Sequence, residues 1–262
     1  MIDFRWSADR GPKVSMLASV VDAREALLCL EGGADVIDCK DPAQGALGAV
    51  AEAVAREVVE AVGGRAPVSA TIGDLPCETG PVTAATLAMA ATGVDFVKIG
   101  LFGAGAEAAE VIRALGGLEG KLGKARLVGV LFADQDPDFG LIAAMADAGF
   151  AGVVLDTADK AAGRLPQVMA AARLEEFVGR ARAAGLFCGL AGSLRAGDIA
   201  GLARLSPDLL GFRGALCREY KRTASLDGGR IAEIRAALAQ CAAAGTGPAG
   251  AIRQELVHEE RA

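Results

Sequence analysis

The chain has 262 residues, a length that a single α/β barrel commonly reaches, and 52% of the residues are hydrophobic. The net charge is −6 and no basic block occurs, which argues against nucleic acid or an anionic membrane as the main partner. The only histidine is His258, close to the C-terminus, so histidine-dependent metal sites and Ser-His or Cys-His catalysis are not expected in the core.

The N-terminal segment, residues 1–13, carries charges and has no apolar stretch of the kind found in a secretory signal. No uninterrupted apolar run reaches the roughly 18 residues that span a bilayer. We therefore expect a cytoplasmic protein without a membrane partner, in which the six cysteines are reduced and mostly buried. The apolar composition also favours a homo-oligomer.

Eight short apolar segments predict strands, and eight Ala/Leu/Glu-rich segments between them predict helices. The predicted strands are residues 14–20, 35–40, 67–72, 95–99, 126–133, 152–156, 186–190 and 208–212. The predicted helices are residues 22–32, 48–62, 80–92, 105–116, 138–148, 166–184, 195–204 and 228–243. Four helices are predicted to begin at capping residues, namely Asp22, Thr79, Asp136 and Asp227.

This alternation predicts the α/β class and a (β/α)8 TIM barrel, formed by residues 1–243 as one domain. The remaining residues, 244–262, are predicted to be a flexible C-terminal tail without a catalytic role. A doubly wound open sheet is the alternative architecture. It fits less well because no strand–turn–helix unit carries a GxGxxG fingerprint, and the nearest stretch, GLFGAG at 100–105, lacks that pattern.

Charged side chains end the even-numbered strands of the predicted barrel. Lys40, Lys98, Asp156 and Arg213 each lie at or just after the end of such a strand. Asp38 precedes Lys40 by two residues, so these two side chains share a strand face. Because catalytic residues of barrels lie at the carboxyl ends of strands, we expect these side chains to meet at one mouth of the barrel.

Lysine at these positions is informative because most of the 27 Lys and Arg residues are arginines. A lysine that is partly desolvated and close to other cations can lose its proton and attack a carbonyl carbon to form a Schiff base. Lys40, Lys98 and Lys160 are the candidates, and Asp38 and Asp156 would balance charge and shuttle protons. The alternative interpretation is a set of structural ion pairs at the barrel mouth.

Two neighbouring side chains have other expected roles. Cys39 alternates away from Asp38 and Lys40, so it is expected in the core. Asp134, at the end of the fifth strand, either joins the site or serves as a cap or turn residue.

The turns after the seventh and eighth strands, GLAGSLRAGD (189–198) and GFRGAL (211–216), are rich in glycine. In many barrels the loops at these two positions bind a phosphate group through backbone N–H groups. The sequence therefore predicts a phosphate-binding site, with the following members: Gly192, Ser193, Arg213, Gly214 and Ala215.

Three segments of the chain closely resemble one enzyme family. They are GGADVIDCKDPAQGALGA (32–49), DFVKIGLFG (95–103) and VVLDTADKAAG (153–163). These segments resemble the signatures of (5-formylfuran-3-yl)methyl phosphate synthase, an enzyme of methanofuran biosynthesis in methanogens and methylotrophic bacteria. Segment 217–229 departs from the family pattern, which leaves the phosphate contacts after the eighth strand open.

The resemblance implies a barrel lyase that condenses two molecules of glyceraldehyde 3-phosphate into a phosphorylated furaldehyde, with loss of one phosphate and two waters. It implies a Schiff base on Lys40 and a second catalytic lysine at Lys98, with Asp38, Asp156 and Lys160 in the same pocket. The expected partner is the triose phosphate, and no metal or other cofactor is expected, because an iminium ion replaces the metal as the electron sink.

Three other functions are compatible with the same residues. A different Schiff-base aldolase acting on a sugar phosphate would share the nucleophilic lysine, whereas a proton-transfer isomerase would need only a base. A non-enzymatic phosphometabolite-binding protein would keep the phosphate site without needing the lysines, and the concentration of lysine at strand ends argues against it.

Overall fold

The structure is a computed structural model that describes residues 14–102 and 105–245. Within these ranges eight parallel strands pair in chain order, and the first strand also pairs with the last, so the sheet closes into a barrel. The strands are β1 (Ser15–Val20), β2 (Val36–Cys39), β3 (Val68–Thr71), β4 (Phe96–Gly100), β5 (Arg126–Phe132), β6 (Gly152–Asp156), β7 (Phe187–Leu190) and β8 (Leu209–Phe212). The predicted (β/α)8 barrel is confirmed, and the alternative of an open sheet is wrong.

Helices follow the strands and cover the outside of the barrel. They are α1 (Ala23–Glu31), α2 (Glu52–Val62), α3 (Thr79–Ala90), α4 (Gly105–Gly116), α5 (Leu141–Asp147), α6 (Leu165–Val168), α7 (Ala171–Ala183), α8 (Ala196–Ala203) and α9 (Gly228–Gly245). No helix of the described ranges is both long and apolar enough to cross a membrane. The N-terminal segment and most of the predicted tail, residues 1–13 and 246–262, lie outside the described residues.

Three helices differ from their predicted bounds by three residues or more, or are divided, because of the local conformation of the chain. The helix predicted over 48–62 begins at Glu52, since the carbonyl of Gly48 accepts the N–H of Asp41 in the loop after β2. The helix predicted over 138–148 begins only at Leu141, after a turn that includes a side-chain bond to the backbone. The helix predicted over 166–184 is divided into α6 and α7 by extended backbone.

The four predicted capping residues have different outcomes. Asp22 caps α1 by accepting the N–H of Glu25 at 2.7 Å, and Asp227 accepts the N–H of Arg230 at 3.1 Å at the start of α9. Thr79 is wrong as a cap, since it is the first residue of α3 itself. Asp136 is also wrong: its φ of 45° ends a short 3₁₀ turn, well before α5 begins.

The strands bury apolar side chains on both faces, as expected for a parallel sheet covered by helices. The larger apolar cluster lies between strands and helices and includes Cys39, which confirms its predicted place in the core. A smaller set, with Leu17, Val36 and Phe96 among its members, fills the barrel interior. Two residues further along the same three strands, the inward positions turn polar. Those three polar positions are Ser19, Asp38 and Lys98.

The six cysteines are all free, and four of them are buried. Burial raises the pKa of Cys29, and also those of Cys39 and Cys188, so these thiols stay protonated at neutral pH. They therefore act as small apolar side chains rather than as nucleophiles.

Candidate active site

A cavity of about 630 Å³ opens at the carboxyl ends of the strands, where barrel enzymes bind their substrates. Its volume suits a small organic ligand. The structure places every site residue predicted from the sequence along this cavity. Those residues are Asp38, Lys40, Lys98, Asp156, Lys160, Gly192, Ser193, Arg213, Gly214 and Ala215.

Asp38 is a fully buried carboxylate whose oxygens are surrounded by donors. The Nζ of Lys98 lies 3.0 Å from both carboxylate oxygens. The hydroxyls of Ser69 and Ser19 donate to the same oxygens at 2.6 and 2.9 Å. Because a buried carboxylate is costly unless it is paired and hydrogen-bonded, these contacts explain how the charge is tolerated.

The strand register produces this arrangement. Ser19 of β1 is the pairing partner of Asp38 of β2, which in turn pairs with Ser69 of β3. The three side chains therefore lie side by side at one level of the barrel wall, pointing inward. Lys98 projects from β4 and extends its amine across the interior to reach Asp38.

Asp156, at the end of β6, is the second buried carboxylate, and two lysines share it. The Nζ of Lys160 lies 2.6 Å from Oδ1, and the Nζ of Lys40 lies 3.3 Å from Oδ2. The N–H of Thr157 donates to Oδ1 at 2.7 Å. Burial alone would raise the pKa of Asp156, but the charges of Lys160 and Lys40 outweigh it and hold that pKa well below its usual range.

The pKa of the Lys40 amine is lowered by its surroundings. Burial lowers the pKa of Lys40 to about 8, and the like charges of Lys160 and Lys98 act in the same direction. Asp156 and Asp38 oppose this shift without cancelling it. A substantial fraction of the Lys40 amine is therefore neutral close to pH 8, which is the form that attacks a carbonyl.

The loop after β2 holds Lys40 at the rim of the cavity. The N–H of Lys40 donates to the carbonyl of Val20 on β1, which continues the sheet beyond the last residue of β2. Further along, the carboxylate of Asp74 accepts the N–H groups of Ala46 and Leu47, both at 2.6 Å. These bonds anchor the loop to the turn after β3.

Asp134 was expected either in the site or in a turn, and the structure gives it the turn role. Its carboxylate accepts the N–H groups of Ala158 and Asp159 at 2.8 and 2.7 Å. These two residues belong to the loop after β6, immediately before Lys160. Asp134 therefore positions the loop that carries Lys160 and does not line the cavity itself.

The turns after β7 and β8 form a cradle of backbone N–H groups, consisting of Gly192, Ser193, Gly214 and Ala215. Within the described chain these four N–H groups have no hydrogen-bond acceptor. Gly192 has a φ of 111°, and a Cβ there would lie 2.9 Å from the methyl group of Thr157, so only glycine fits. The cradle therefore offers unused donors to an anion.

Arg213 lines the same part of the cavity, but its guanidinium is fully engaged. It pairs with Glu25, which lies behind the site on α1, and donates to the carbonyls of Ser19, Arg222 and Ala224. These bonds use all five N–H donors of an arginine. The side chain of Arg213 thus ties β8 to β1 and has no N–H donor left for a phosphate group.

Several residues in or beside this cavity were not predicted from the sequence. Ser19 and Ser69 carried a signal, because each is a polar side chain at an inward position of an apolar strand. Arg164, Arg195 and Arg222 carried none, since the chain is rich in arginine and only the fold shows which of them reach the cavity.

Comparison with known proteins gives the same family that three segments of the sequence resemble. The chain matches the family described as 4-HFC-P synthase over residues 16–235. It is 48% identical over 219 residues to the putative (5-formylfuran-3-yl)methyl phosphate synthase of Methylorubrum extorquens, covering 83% of this chain and 89% of the relative. It is 40% identical to the (5-formylfuran-3-yl)methyl phosphate synthase of Methanopyrus kandleri, covering 79% and 91% of the two chains.

Solved structures with the same architecture are far more distant in sequence. The 3-keto-L-gulonate-6-phosphate decarboxylase of Vibrio cholerae superposes with a TM-score of 0.62 at 12% identity, covering 87% of this chain and 98% of the other. The 3-hexulose-6-phosphate synthase of Salmonella typhimurium gives a TM-score of 0.58 at 18% identity, with coverages of 87% and 100%. At these identities the likeness concerns the fold alone.

Proposed function

This chain belongs to the 4-HFC-P synthase family, and we propose that it condenses two molecules of glyceraldehyde 3-phosphate into (5-formylfuran-3-yl)methyl phosphate through a Schiff base on Lys40. The observation that carries the mechanism is the buried Lys40 amine, with a pKa of about 8, beside a shared carboxylate. The relatives support the identity of the product. The reaction would contribute to methanofuran biosynthesis.

Among the three cavity lysines, Lys40 is the best suited to be the nucleophile. Lys98 is held by both oxygens of Asp38, and Lys160 is bound closely to Asp156 and to the carbonyl of Thr157. Lys40 makes one longer contact, of 3.3 Å, and its pKa is lowered by burial. It can therefore give up its proton while the other two amines keep their partners.

In the first step, the neutral amine of Lys40 adds to the aldehyde carbon of one triose phosphate and water leaves, forming an iminium ion. The iminium withdraws electrons from the adjacent carbon, so a proton on that carbon becomes acidic and its removal gives an enamine. Asp156 and Lys98 line the same cavity and would supply acid and base groups for this proton transfer.

The remaining steps join the second aldehyde, close the ring and form the aromatic furan. Relative to two triose phosphates, the product lacks one phosphate and two waters, so the overall reaction needs no oxidant or reductant. The iminium serves as the electron sink, which is the role that a metal ion has in other barrel enzymes. Lys160 and Lys98 place positive charge where the departing phosphate and water oxygens become negative.

The cradle after β7 and β8 would bind a phosphate group away from the reacting carbons. Its unused N–H groups suit a phosphate dianion, and binding energy from this remote group is available to position the aldehyde over Lys40. We therefore expect phosphate-free glyceraldehyde to react far more slowly than glyceraldehyde 3-phosphate. Similar turnover of the two compounds would contradict the proposed role of the cradle.

The test is to incubate the pure protein with glyceraldehyde 3-phosphate alone and to identify the products by mass spectrometry. The furan phosphate is the expected product. An acyclic six-carbon aldol product would instead indicate a Schiff-base aldolase, and dihydroxyacetone phosphate alone would indicate an isomerase. Binding without any new compound would indicate a phosphometabolite-binding protein.

A second measurement tests the covalent step. Borohydride added with substrate should leave a stable adduct on the peptide that contains Lys40, and Lys40→Arg should remove it. Lys221→Arg is the matched control, since Lys221 is exposed and pairs with Glu219 on the surface. A wild-type adduct on Lys98 or Lys160, with Lys40→Arg still active, would mean that another lysine is the nucleophile.

A further inference from the structure

The charge around the cavity exceeds what one phosphate group requires. The lining contains seven cationic side chains and two carboxylates. Two of the cations, Arg213 and Arg164, are paired with Glu25 and Asp198 outside the cavity. Asp38 and Asp156 are the two carboxylates that line the cavity with the five that remain. Since a phosphate monoester carries about −1.5 to −2 charges at neutral pH, this surplus fits two such groups better than one.

Arg222 is the one of the two arginines among these five cations that a side-chain hydrogen bond holds in place in the described chain. Its Nη2 donates to the carbonyl of Gly45 at 2.7 Å, and its other N–H donors have no acceptor among the described residues. It has no ion-pair partner in the described chain either. Arg213, only nine positions earlier, uses all of its N–H donors. Unused donors are therefore not a general property of the arginines in this loop.

The side chain of Arg222 begins beside the cradle and ends at a different loop. Its Cβ lies beside the turn after β8, 3.9 Å from where a Cβ on Gly214 would be. Its guanidinium reaches the carbonyl of Gly45, in the loop that follows Lys40. Partial burial lowers the pKa of Arg222, while the carboxylates of Asp156 and Asp74 oppose that shift. The head group therefore lies at the Lys40 side of the cavity, within the field of Asp156.

We propose that Arg222 forms a second phosphate subsite, distinct from the cradle, which binds the phosphate ester of the second three-carbon substrate at the rim beside Lys40. The identity of the ligand rests on the proposed function, because that reaction requires two phosphorylated trioses in one cavity. An arginine suits this position, since its planar fork binds phosphate oxygens in pairs while one N–H keeps the contact to Gly45.

The test counts binding sites with sn-glycerol 3-phosphate, which has the phosphate ester but no aldehyde and therefore forms no Schiff base. Isothermal titration of the wild-type protein should give two equivalents per chain, and Arg222→Gln should give one. The affinity of the lost site should fall by about 10- to 100-fold, as expected for a charge-assisted contact. Arg222→Lys, which keeps the charge, should retain two equivalents with a weaker second site.

Arg218→Gln is the matched control, because Arg218 lies in the same loop with a largely exposed side chain. It should bind two equivalents. One equivalent in the wild type, or two unweakened equivalents in Arg222→Gln, would overturn the second subsite. Arg222→Gln should still form the borohydride adduct on Lys40, which shows that the barrel is folded. Two equivalents bound by a wild-type protein that makes no furan product would refute the proposed function and leave the subsite standing.

Discussion

The two buried carboxylates of the cavity are compensated in different ways. Asp38 faces one lysine, Lys98, and two serine hydroxyls, and all of these contacts are between 2.6 and 3.0 Å. Asp156 faces two lysines at unequal distances, 2.6 Å for Lys160 and 3.3 Å for Lys40. One carboxylate thus has one cation to neutralise, and the other has two.

This difference explains why the lysines of one cavity can have different chemistry. Lys98 and Asp38 form a one-to-one ion pair, so removing either partner would leave the other charge buried and uncompensated. At Asp156 the second lysine is in excess. Burial disfavours that extra positive charge, and the more loosely held amine, Lys40, is the one whose pKa falls to about 8. The same cavity thus contains one lysine with its own counterion and another whose pKa is lowered.

The largest expected effect is that of Lys40→Arg, which keeps the positive charge beside Asp156 and removes the nucleophile. Without a nucleophile no iminium forms, so the rate of product formation should fall by at least about 1,000-fold, a loss typical for removal of a covalent catalyst. The rate is measured by product appearance, and the adduct by mass spectrometry after borohydride treatment. Retained adduct formation would show that the more loosely held amine is not the reactive one.

Lys98→Arg should impair a later step of the reaction than Lys40→Arg does. The substitution keeps a cation opposite Asp38 and removes a group that can exchange its proton, so proton transfer after iminium formation should be impaired. We expect product formation to fall by about 100- to 10,000-fold while the borohydride adduct on Lys40 persists. Loss of adduct and product in parallel would place Lys98 before the iminium and not after it.

Removing the charge of Asp38 should destabilise the protein more than removing the charge of Asp156. Asp38→Asn leaves Lys98 buried without a counterion, which typically costs about 3–5 kcal/mol in the free energy of unfolding. Asp156→Asn should cost less, because Lys40 can release its proton and so relieve part of the uncompensated charge. The comparison is made by denaturant unfolding of the two variants at pH 8. A larger loss of unfolding free energy for Asp156→Asn would mean that Asp156, and not Asp38, contributes more to stability.

The barrel and most of its active-site candidates could be predicted from sequence because each depends on a local pattern. Strand segments are apolar at successive positions, and Asp38 and Lys40 follow such a segment at a spacing of two. The lysines share the strand-end position that a barrel directs to one mouth. Predicting these features requires only the periodicity of the sequence and the fold class, and not the individual contacts.

The hydrogen-bond partners could not be predicted in this way. The engagement of Arg213 by Glu25 joins residues 188 positions apart, and the contact of Arg222 with Gly45 joins residues 177 apart. Nothing in the residues themselves distinguishes an arginine whose donors are all used from one with donors to spare. The predicted start of α5 was wrong for a local reason, since the Asp138 carboxylate accepts the N–H of Gly140 and favours a turn before Leu141.

The smallest expected effect is a shift in the pH dependence of adduct formation when Lys160 is replaced. The neutral form of Lys40 is the nucleophile, so the rate of adduct formation in the wild type should rise with pH through about 8 and level off above it. Lys160→Met removes a like charge that lowers the pKa of Lys40, and it leaves Asp156 paired with Lys40 alone. Both changes favour the protonated amine, so the midpoint should move upward by about one pH unit.

This shift should slow adduct formation at pH 7 by about tenfold and leave the rate at high pH nearly unchanged, because the variant reaches the same neutral amine at a higher pH. Lys221→Met, at an exposed position outside the cavity, is the control and should keep the wild-type midpoint. The rate is measured in a single turnover by borohydride trapping across the pH range. An unchanged midpoint in Lys160→Met would show that burial alone sets the pKa of Lys40, and that sharing of Asp156 between two lysines has no part in making it reactive.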